Sequence, residues 1–323
     1  MTCLLFFNEL SATPLSSNLH EARFRMDRFI GTLQRVQYTS NGKLPTLRLH
    51  MNVADLELTA QYPIARWLND PDVEKEQRTW LQALAARSPL FPTAAEVAVA
   101  VHPEDRVDCF HAKREALALS AARLMDGLPV SILSDPVWDT EWLEITIHAL
   151  DAAGDLVESQ EKFRHASRPE HIDIHADWLH SLSRITVKDG RDLWDKRKTL
   201  FPALEMCKEV RAQLAGFKSG DPALRQIVKR LLEMQQFFAT WQGTAIGPSS
   251  LPTKCTPESV STMNKYREEH TFTRENGQQI EFSWHVRFTP DPGRIFFDGD
   301  PDTFKGIVGC IARDGLPTVK APT

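Results

Sequence analysis

The sequence predicts an α+β protein, in which a mixed α/β domain over residues 1–190 precedes two helices packed on an antiparallel β meander over residues 191–323. Three observations predict this class. The 323 residues are enough for two domains of ordinary size. The composition, with 42% hydrophobic and 25% charged residues, is typical of globular proteins and excludes disordered or coiled-coil chains. Towards the C-terminus, the hydrophobic pattern changes from a helical period to a period of two residues.

The first half of the chain is expected to mix strands and helices. Strands are predicted at 3–9 and 45–53, the second because apolar and polar residues alternate there. A helix is predicted to follow the capping sequence Asn69-Asp70-Pro71, and an alanine-rich helix is expected over 113–125.

Two further features complete the N-terminal domain. Alternating residues at 142–149 and 156–163 predict two strands joined as a hairpin. Ser167 and Glu170 have the spacing of a capping box, which predicts one continuous helix from 168 to 183.

The second domain is predicted from a change of pattern after Gly190. Helices are expected at 201–217 and 222–241, the second with an apolar stripe at helical spacing. Residues 243–257 are rich in Gly, Pro, Ser and Thr, and are expected to form a connection. Beyond this connection, a hairpin turn is predicted at Asn276-Gly277, and short strands are predicted over 268–274, 280–288, 294–298 and 304–311.

Charge and cysteine content limit the classes of function. The formal net charge of −5 gives no whole-protein reason to expect nucleic acid as a partner, so any such site must be a local patch. The five cysteines are widely spaced without a CxxC pair, which predicts reduced thiols and a cytoplasmic protein. Apolar runs are too short for a membrane span, and the N-terminal run is expected to be a strand and not a signal peptide. No glycine-rich phosphate-binding motif is present, so no cofactor is expected.

The predicted meander carries the main candidate site. His285 and Arg287 are two residues apart on one strand and therefore point to the same face. Arg294 begins the next strand and Arg313 follows the last one, so antiparallel pairing is expected to bring all four side chains to one sheet face. An imidazole among fixed cations suits RNA cleavage by 2′-hydroxyl attack, since it moves protons while the cations stabilise the phosphorane. The alternative is a solvated sheet face that carries these residues for solubility.

The order of two helices, a meander, a basic-x-basic pair and two later arginines resembles the RelE family of bacterial ribonuclease toxins. The resemblance covers residues 191–323 and rests on His285, Arg287, Gly293-Arg294 and Arg313. It implies a metal-independent endoribonuclease that cleaves mRNA in the ribosome, with RNA or the ribosome and an antitoxin as partners. It also implies that His285 transfers a proton while the arginines hold the scissile phosphate, in a toxin–antitoxin or phage-defence role.

A local positive field is predicted beside the meander. Residues 196–230 contain nine bases against three acids, a surplus of six. Phosphate contact is one use of this surplus, and lysine-rich solvated helix faces are the other interpretation. The acidic total charge favours a second function, that of a non-catalytic nucleic-acid-binding or protein-binding subunit in a larger complex. The candidates for nucleic-acid contact are Lys196, Arg197, Lys198, Lys229, Arg230, Lys265 and Arg267.

A metal site is the third hypothesis. His171 and His175 are four residues apart on a predicted helix, the spacing that zinc-binding helices use, and His165 is the available third ligand. HExxH is absent, and the same residues also suit the border of a packed helix face. No metal is therefore assigned to the protein from the sequence.

Overall fold

A computed structural model describes the following residues of the chain: 3–86, 107–150, 155–184, 187–288 and 293–319. The protein belongs to the α+β class, with several separate sheets, as the sequence predicts. The chain divides into two compact units, Met1–Thr186 and Val187–Thr323. The sequence predicts a boundary after residue 190, and Gly190 begins a helix of the second unit. Within the described ranges, no helix is long and apolar enough to cross a membrane.

The elements of the first unit alternate between short strands and helices. Its strands are β1 (Leu4–Phe7), β2 (Thr46–Arg48), β3 (Glu57–Thr59), β4 (Tyr62–Pro63), β5 (Val107–His111), β6 (Arg114–Glu115), β7 (Leu128–Val130), β8 (Trp142–Leu150) and β9 (Leu156–Arg164). Its helices are α1 (Leu19–Thr39), α2 (Ile64–Trp67), α3 (Lys75–Ala85), α4 (Leu117–Met125), α5 (Pro169–Ile174) and α6 (Ala176–Arg184).

A parallel sheet in the order β2-β1-β7 lies at the centre of the first unit. All four residues of β1 are buried, as expected for a strand covered on both faces. Leu5 and Phe7 belong to the cluster that contains the buried face of α1. Leu4 and Phe6 pack instead with the alanines of α4. The two helices therefore cover opposite faces of this sheet.

α1 is the longest helix in the described ranges, and it is missing from the sequence-based prediction. The Asn18 side chain caps it by accepting from the Glu21 amide at 2.9 Å, while the Ser17 amide donates to the Glu21 carboxylate at 2.7 Å. These bonds satisfy amides that a helix start leaves open. The buried apolar residues recur at helical spacing and are Ala22, Met26, Phe29, Ile30, Leu33 and Val36.

The predicted hairpin over 142–149 and 156–163 is confirmed as β8 and β9. The two strands pair from Trp142 opposite Arg164 to Leu150 opposite Leu156. They belong to an antiparallel sheet in the order β6-β5-β8-β9. One face of this sheet is packed, and its buried apolar cluster contains Cys109, Trp138, Leu143, Ile145 and Ile147.

The second unit contains helices around one larger sheet. Its strands are β10 (Leu204–Met206), β11 (Cys255–Pro257), β12 (Thr271–Thr273), β13 (Gln279–Glu281), β14 (Trp284–Phe288), β15 (Gly293–Asp300) and β16 (Lys305–Ala312). Its helices are α7 (Gly190–Leu200), α8 (Val210–Ala215), α9 (Pro222–Phe238) and α10 (Val260–Lys265). The sheet order is β10-β16-β15-β14-β11, and every neighbouring pair is antiparallel except β10 with β16.

Helix α9 packs against the central strands of this sheet. The Phe238 ring lies edge-on to the Phe297 ring, with 6.3 Å between centroids. Gly306 makes room for Phe238, since a Cβ there would lie 2.4 Å from the ring. The predicted meander is thus confirmed for β14, β15 and β16, which follow one another in sequence and in the sheet.

Three predicted elements of the second unit differ from the structure. The helix expected over 201–217 is wrong in its first part, because Leu204–Met206 pairs with the free edge of β16 as β10. The connection expected over 243–257 ends in a strand, β11, which pairs with β14. The strand expected over 268–274 does not join the main sheet, because β12 and β13 form a separate hairpin that turns at Asn276-Gly277.

Candidate functional site

The strand pair β14–β15 brings three of the four predicted catalytic residues to one face of the sheet. Arg287 is directly opposite Arg294, and His285 is opposite Phe296. Residues two apart on a strand share a face, so His285, Arg287 and Arg294 lie on the same side. Both arginines are half-buried. Like charges opposite each other on paired strands are destabilising, so the two guanidinium groups favour an anion nearby, and both act to lower the pKa of Glu258.

His285 lies on this face beside the edge strand β11. Its side chain is only 5% exposed, and its ring lies against Phe296, with 5.3 Å between centroids. Register places Thr256 opposite His285, and the Thr256 hydroxyl is 3.0 Å from Nε2. The Glu258 carboxylate follows β11 and lies 3.5 Å from Nδ1. The imidazole therefore lies between a hydroxyl and a carboxylate. We call Thr256, Glu258, His285, Arg287 and Arg294 the β14 site.

Burial determines the protonation of His285 and Glu258. The pKa of His285 is lowered to about 3 by burial and then by the positive charges of Arg294 and Arg287. The pKa of Glu258 is raised by burial, against the opposing effect of Arg294, His270 and Arg287. At neutral pH the imidazole is thus neutral. With its proton on Nδ1, facing Glu258, Nε2 is left as the acceptor facing the Thr256 hydroxyl.

A further histidine covers this side of the sheet. The ring nitrogens of His270 lie 3.2 Å from the Phe282 carbonyl and 3.1 Å from the Pro317 carbonyl. Its ring is edge-on to Phe296, at 5.2 Å between centroids. These contacts place His270, which precedes β12, and Pro317, which follows β16, over the face of the sheet that carries His285. His285 is consequently buried, while Thr256 remains partly exposed.

Arg313 lies apart from the β14 site. Ala312 is opposite Arg294, so the next residue points to the other side of the sheet. There the Arg313 guanidinium forms an ion pair with Asp221 and stacks 4.7 Å from the centre of the Phe217 ring. The expected convergence of four side chains is therefore wrong for Arg313, because the alternation of the strand reverses its direction.

The predicted basic surface is largely compensated by acids. Lys196 pairs with Asp192 at 2.9 Å on the same helix. Arg197 and Lys198 both reach Glu275, at 2.9 and 3.3 Å. The acid partners, Asp192 and Glu275, lie outside residues 196–230 and are therefore not among the three acids counted there. The surplus of six positive charges in the sequence therefore overstates the positive field of the folded unit.

Two of the four remaining candidates for nucleic-acid contact, Arg230 and Arg267, are also paired with acids. Arg230 pairs with Glu233 at 2.9 Å, and its Nε donates to the Arg287 carbonyl at 3.1 Å. Arg267 pairs with Glu281 at 3.5 Å. Lys265 lies 5.1 Å from the centre of the Tyr266 ring, and Lys229 is half-buried on α9. Arg230 thus supports β14 by holding its backbone.

The three histidines of the metal hypothesis bind protein groups. The predicted continuous helix is wrong, since it breaks at His175, whose Nε2 lies 2.9 Å from the Glu141 carbonyl. His165 contacts the Thr140 carbonyl and the Ser131 hydroxyl, each at 2.7 Å. No group of three His, Cys, Asp or Glu side chains in the described ranges has the arrangement of a metal site.

Comparisons with family models, with curated proteins and with solved structures find no significant match. The chemistry of the β14 site is therefore the main guide to function. Two of its residues, Thr256 and Glu258, are absent from the sequence-based candidates. Thr256 lies at the end of the segment expected to be a connection and Glu258 directly follows it, and only the pairing of β11 with β14 brings them to His285. Their one sequence signal is a hydroxyl and a carboxylate two residues apart.

Proposed function

We propose that the second unit is a metal-independent endoribonuclease of the RelE-like toxin type, acting through the β14 site. The observation that carries this proposal is the register of β14 and β15, with Arg287 opposite Arg294 beside the buried His285. Two guanidinium groups suit the binding of a phosphodiester, because each offers several N–H donors to phosphate oxygens.

The reaction is transesterification at phosphorus. The RNA 2′-oxygen attacks the adjacent phosphorus atom, the bond to the 5′-oxygen breaks, and a 2′,3′-cyclic phosphate forms. The 2′-hydroxyl proton goes to a base of the enzyme, and the departing 5′-oxygen takes a proton from water. Arg287 and Arg294 stabilise the negative charge that develops on the phosphorane.

Thr256 connects the buried base to the substrate in this mechanism. His285 is too buried to contact RNA, whereas Thr256 is a partly exposed residue whose hydroxyl lies 3.0 Å from Nε2. The threonine hydroxyl accepts the 2′-hydroxyl proton while it passes its own proton to Nε2. Glu258, beyond Nδ1, then stabilises the imidazolium that forms.

The biological role follows from the RelE resemblance and not from the site. In that role, RNA or the ribosome is the substrate partner and an antitoxin-like protein is the inhibitor. The first unit would then recruit or regulate the nuclease.

Cleavage of a labelled single-stranded RNA by the purified full chain, in the presence of EDTA, tests the proposal. Thr256→Val, which removes the hydroxyl at nearly constant shape, and His285→Asn are each expected to slow cleavage roughly 100-fold or more. Arg294→Met is expected to cost on the order of 100-fold. Products must carry 2′,3′-cyclic phosphate, and an all-deoxy oligonucleotide must remain intact. Cleavage that survives His285→Asn in a folded protein would contradict the mechanism.

A non-catalytic binding subunit is the second candidate, and one observation favours it. Four bases of α7 and α9 are paired with Asp192, Glu275 or Glu233, which leaves less positive field than a ribosome-directed nuclease needs; they are Lys196, Arg197, Lys198 and Arg230. Salt-dependent RNA binding without cleavage would support this function. Binding that is insensitive to salt would indicate a protein partner.

A further inference from the structure

Arg48, the last residue of β2 in the first unit, is a buried cation. Only 7% of the residue is exposed, and its Nε is buried without a hydrogen-bond partner. Among the residues that the structure describes, none forms a hydrogen bond or an ion pair with its guanidinium. Burial lowers the pKa of this guanidinium, and no charge in the described part of the chain opposes the effect.

A buried guanidinium without an anion is unfavourable, since arginine remains charged in proteins and desolvation is costly. Arg274 in the second unit shows the usual solution. It is 8% exposed, and it reaches Glu205 at 2.6 Å and Asp300 at 2.9 Å. Arg48 is as buried as Arg274, and among the residues that the structure describes it has neither type of partner, so we expect a bound anion to compensate its charge.

The position of Arg48 indicates the kind of anion. It ends a strand of the parallel β2-β1-β7 sheet, and ligands of α/β proteins bind at the carboxyl ends of such strands. The carboxylate that follows β1 is already used, because Glu9 accepts from the Leu117 and Ala118 amides at the start of α4. Glu9 is therefore engaged in capping that helix.

We propose that Arg48 binds the phosphate group of a small phosphorylated ligand at the carboxyl end of the parallel sheet. The planar guanidinium offers two parallel N–H donors to phosphate oxygens, and the ligand's charge compensates the buried cation. This site is independent of the β14 site, which belongs to the other unit. It gives the first unit a ligand-binding role.

Thermal unfolding of the full chain, with inorganic phosphate as the probe, tests this site. Potassium phosphate is compared with potassium chloride of equal ionic strength at neutral pH. Phosphate at ten times its dissociation constant is expected to raise the unfolding midpoint of the wild type by about 2–4 °C. Arg114→Met, on the exposed strand β6, is the matched control and should respond like the wild type.

The variant Arg48→Met distinguishes a phosphate-binding role of Arg48 from a purely structural role. In chloride, the variant is expected to unfold at or above the wild-type midpoint, because an apolar side chain replaces an uncompensated buried charge. It should not respond to phosphate. A lower midpoint in chloride would mean that the chain itself compensates Arg48, and the proposal would fail. An equal phosphate response in both proteins would also overturn it.

If Arg48→Met does not fold, a direct measurement of phosphate binding to the wild type still tests the proposal. Line broadening of the inorganic phosphate ³¹P signal by the wild type supports the site, and its absence at millimolar phosphate overturns it. Arg48→Lys retains the charge without the two-pronged donor geometry, so phosphate affinity is expected to fall several-fold. Nucleoside monophosphates and sugar phosphates, used as further ligands, then distinguish which phosphorylated class binds most tightly.

Discussion

His285 Nδ1 lies 3.5 Å from Glu258 Oε1, and each atom is buried with no hydrogen-bond partner in the described chain. At this distance the pair is close but not tightly bonded, so a small shift of Glu258 is enough to make the hydrogen bond. Catalytic hydrogen bonds are often long before substrate binds. The pair is therefore poised to stabilise a proton on the imidazole, while in the resting protein burial keeps that ring neutral.

The neutral state of His285 predicts loss of stability in acid. Its folded-state pKa is about 3 against 6.5 for an ordinary histidine, so the unfolded chain binds more protons between these values. The stability that it contributes is fully present above pH 6.5 and is lost as the pH falls towards 3. Glu258, whose pKa is raised, acts in the opposite sense above its ordinary value of 4.5.

Urea unfolding of the wild type and His285→Gln across this pH range measures the effect. The variant should show a weaker loss of stability on acidification, because glutamine does not titrate. His165 in the first unit also has its pKa lowered to about 3 by burial, so His165→Gln serves as the comparison for His285→Gln. An unchanged pH profile in His285→Gln would show that the ring is already accessible to protons.

Arg274 is expected to be essential for holding the β12–β13 hairpin on the second unit. Its guanidinium lies between Glu205 and Asp300, at 2.6 and 2.9 Å, with all three side chains largely buried. Arg274→Met leaves two buried carboxylates without their cation, which should cost about 3–5 kcal/mol in the free energy of unfolding. Arg267→Met removes an exposed pair with Glu281 and should cost less than about 1 kcal/mol. Equal losses in denaturant titrations would refute this difference.

Gly309 is predicted to be intolerant of any side chain. A Cβ at this position of β16 would lie 2.6 Å from the ring of Phe282, which is fully buried. Gly309→Ala should therefore cost about 1–3 kcal/mol of stability through overpacking. Gly247→Ala, where the added Cβ would lie 3.9 Å from the Ser250 hydroxyl, should be near neutral. Adding Phe282→Leu to Gly309→Ala should recover part of the loss in a double-mutant cycle.

Local patterns predicted part of the candidate site but could not predict all of it. A period of two residues was enough to put His285 and Arg287 on one face. It could not reveal Thr256 and Glu258, since their role depends on the pairing of β11 with a strand about 30 residues later in the sequence. The direction of Arg313 depended on the register of β16, which the sequence does not show.

In the fold as well, elements with local sequence signals are predictable, whereas elements that depend on pairing with distant strands are not. The β8–β9 hairpin and α9 were predictable because their signals are local. The local pattern predicts helix for β10, because the strand with which it pairs, β16, lies about 100 residues later in the sequence. The helix α1 was missed although its apolar residues recur at helical spacing, so in that case the pattern itself was sufficient.

Release of Arg197 and Lys198 is expected to increase RNA binding. Both side chains reach Glu275, whose pKa is lowered by these hydrogen bonds and charges. Glu275→Gln should therefore tighten binding of single-stranded RNA roughly 3- to 10-fold at low salt and steepen its salt dependence. Fluorescence anisotropy measures both effects. Glu161→Gln, which frees Arg123 in the first unit, is the control, and an equal gain there would exclude α7 as the contact surface.

Arg313 and Arg287 are expected to affect different properties of the protein. Asp221 caps α9 by accepting from the Ala223 amide at 3.0 Å, and Arg313 pairs with that carboxylate on the side of the sheet away from the β14 site. Arg313→Met should therefore cost about 0.5–1 kcal/mol of stability and leave RNA cleavage within roughly twofold of the wild type. Arg287→Met removes a phosphate contact and should lower cleavage on the order of 100-fold.

Cleavage rates at a temperature where both variants are folded, together with their unfolding curves, separate these two effects. A folded Arg313→Met protein that no longer cleaves RNA would restore the role that the RelE resemblance implies for this arginine. The end of β16 would then have to turn towards the β14 site when substrate binds. The opposite result, with activity lost only in Arg287→Met, would confine phosphate binding to the arginine pair of β14 and β15.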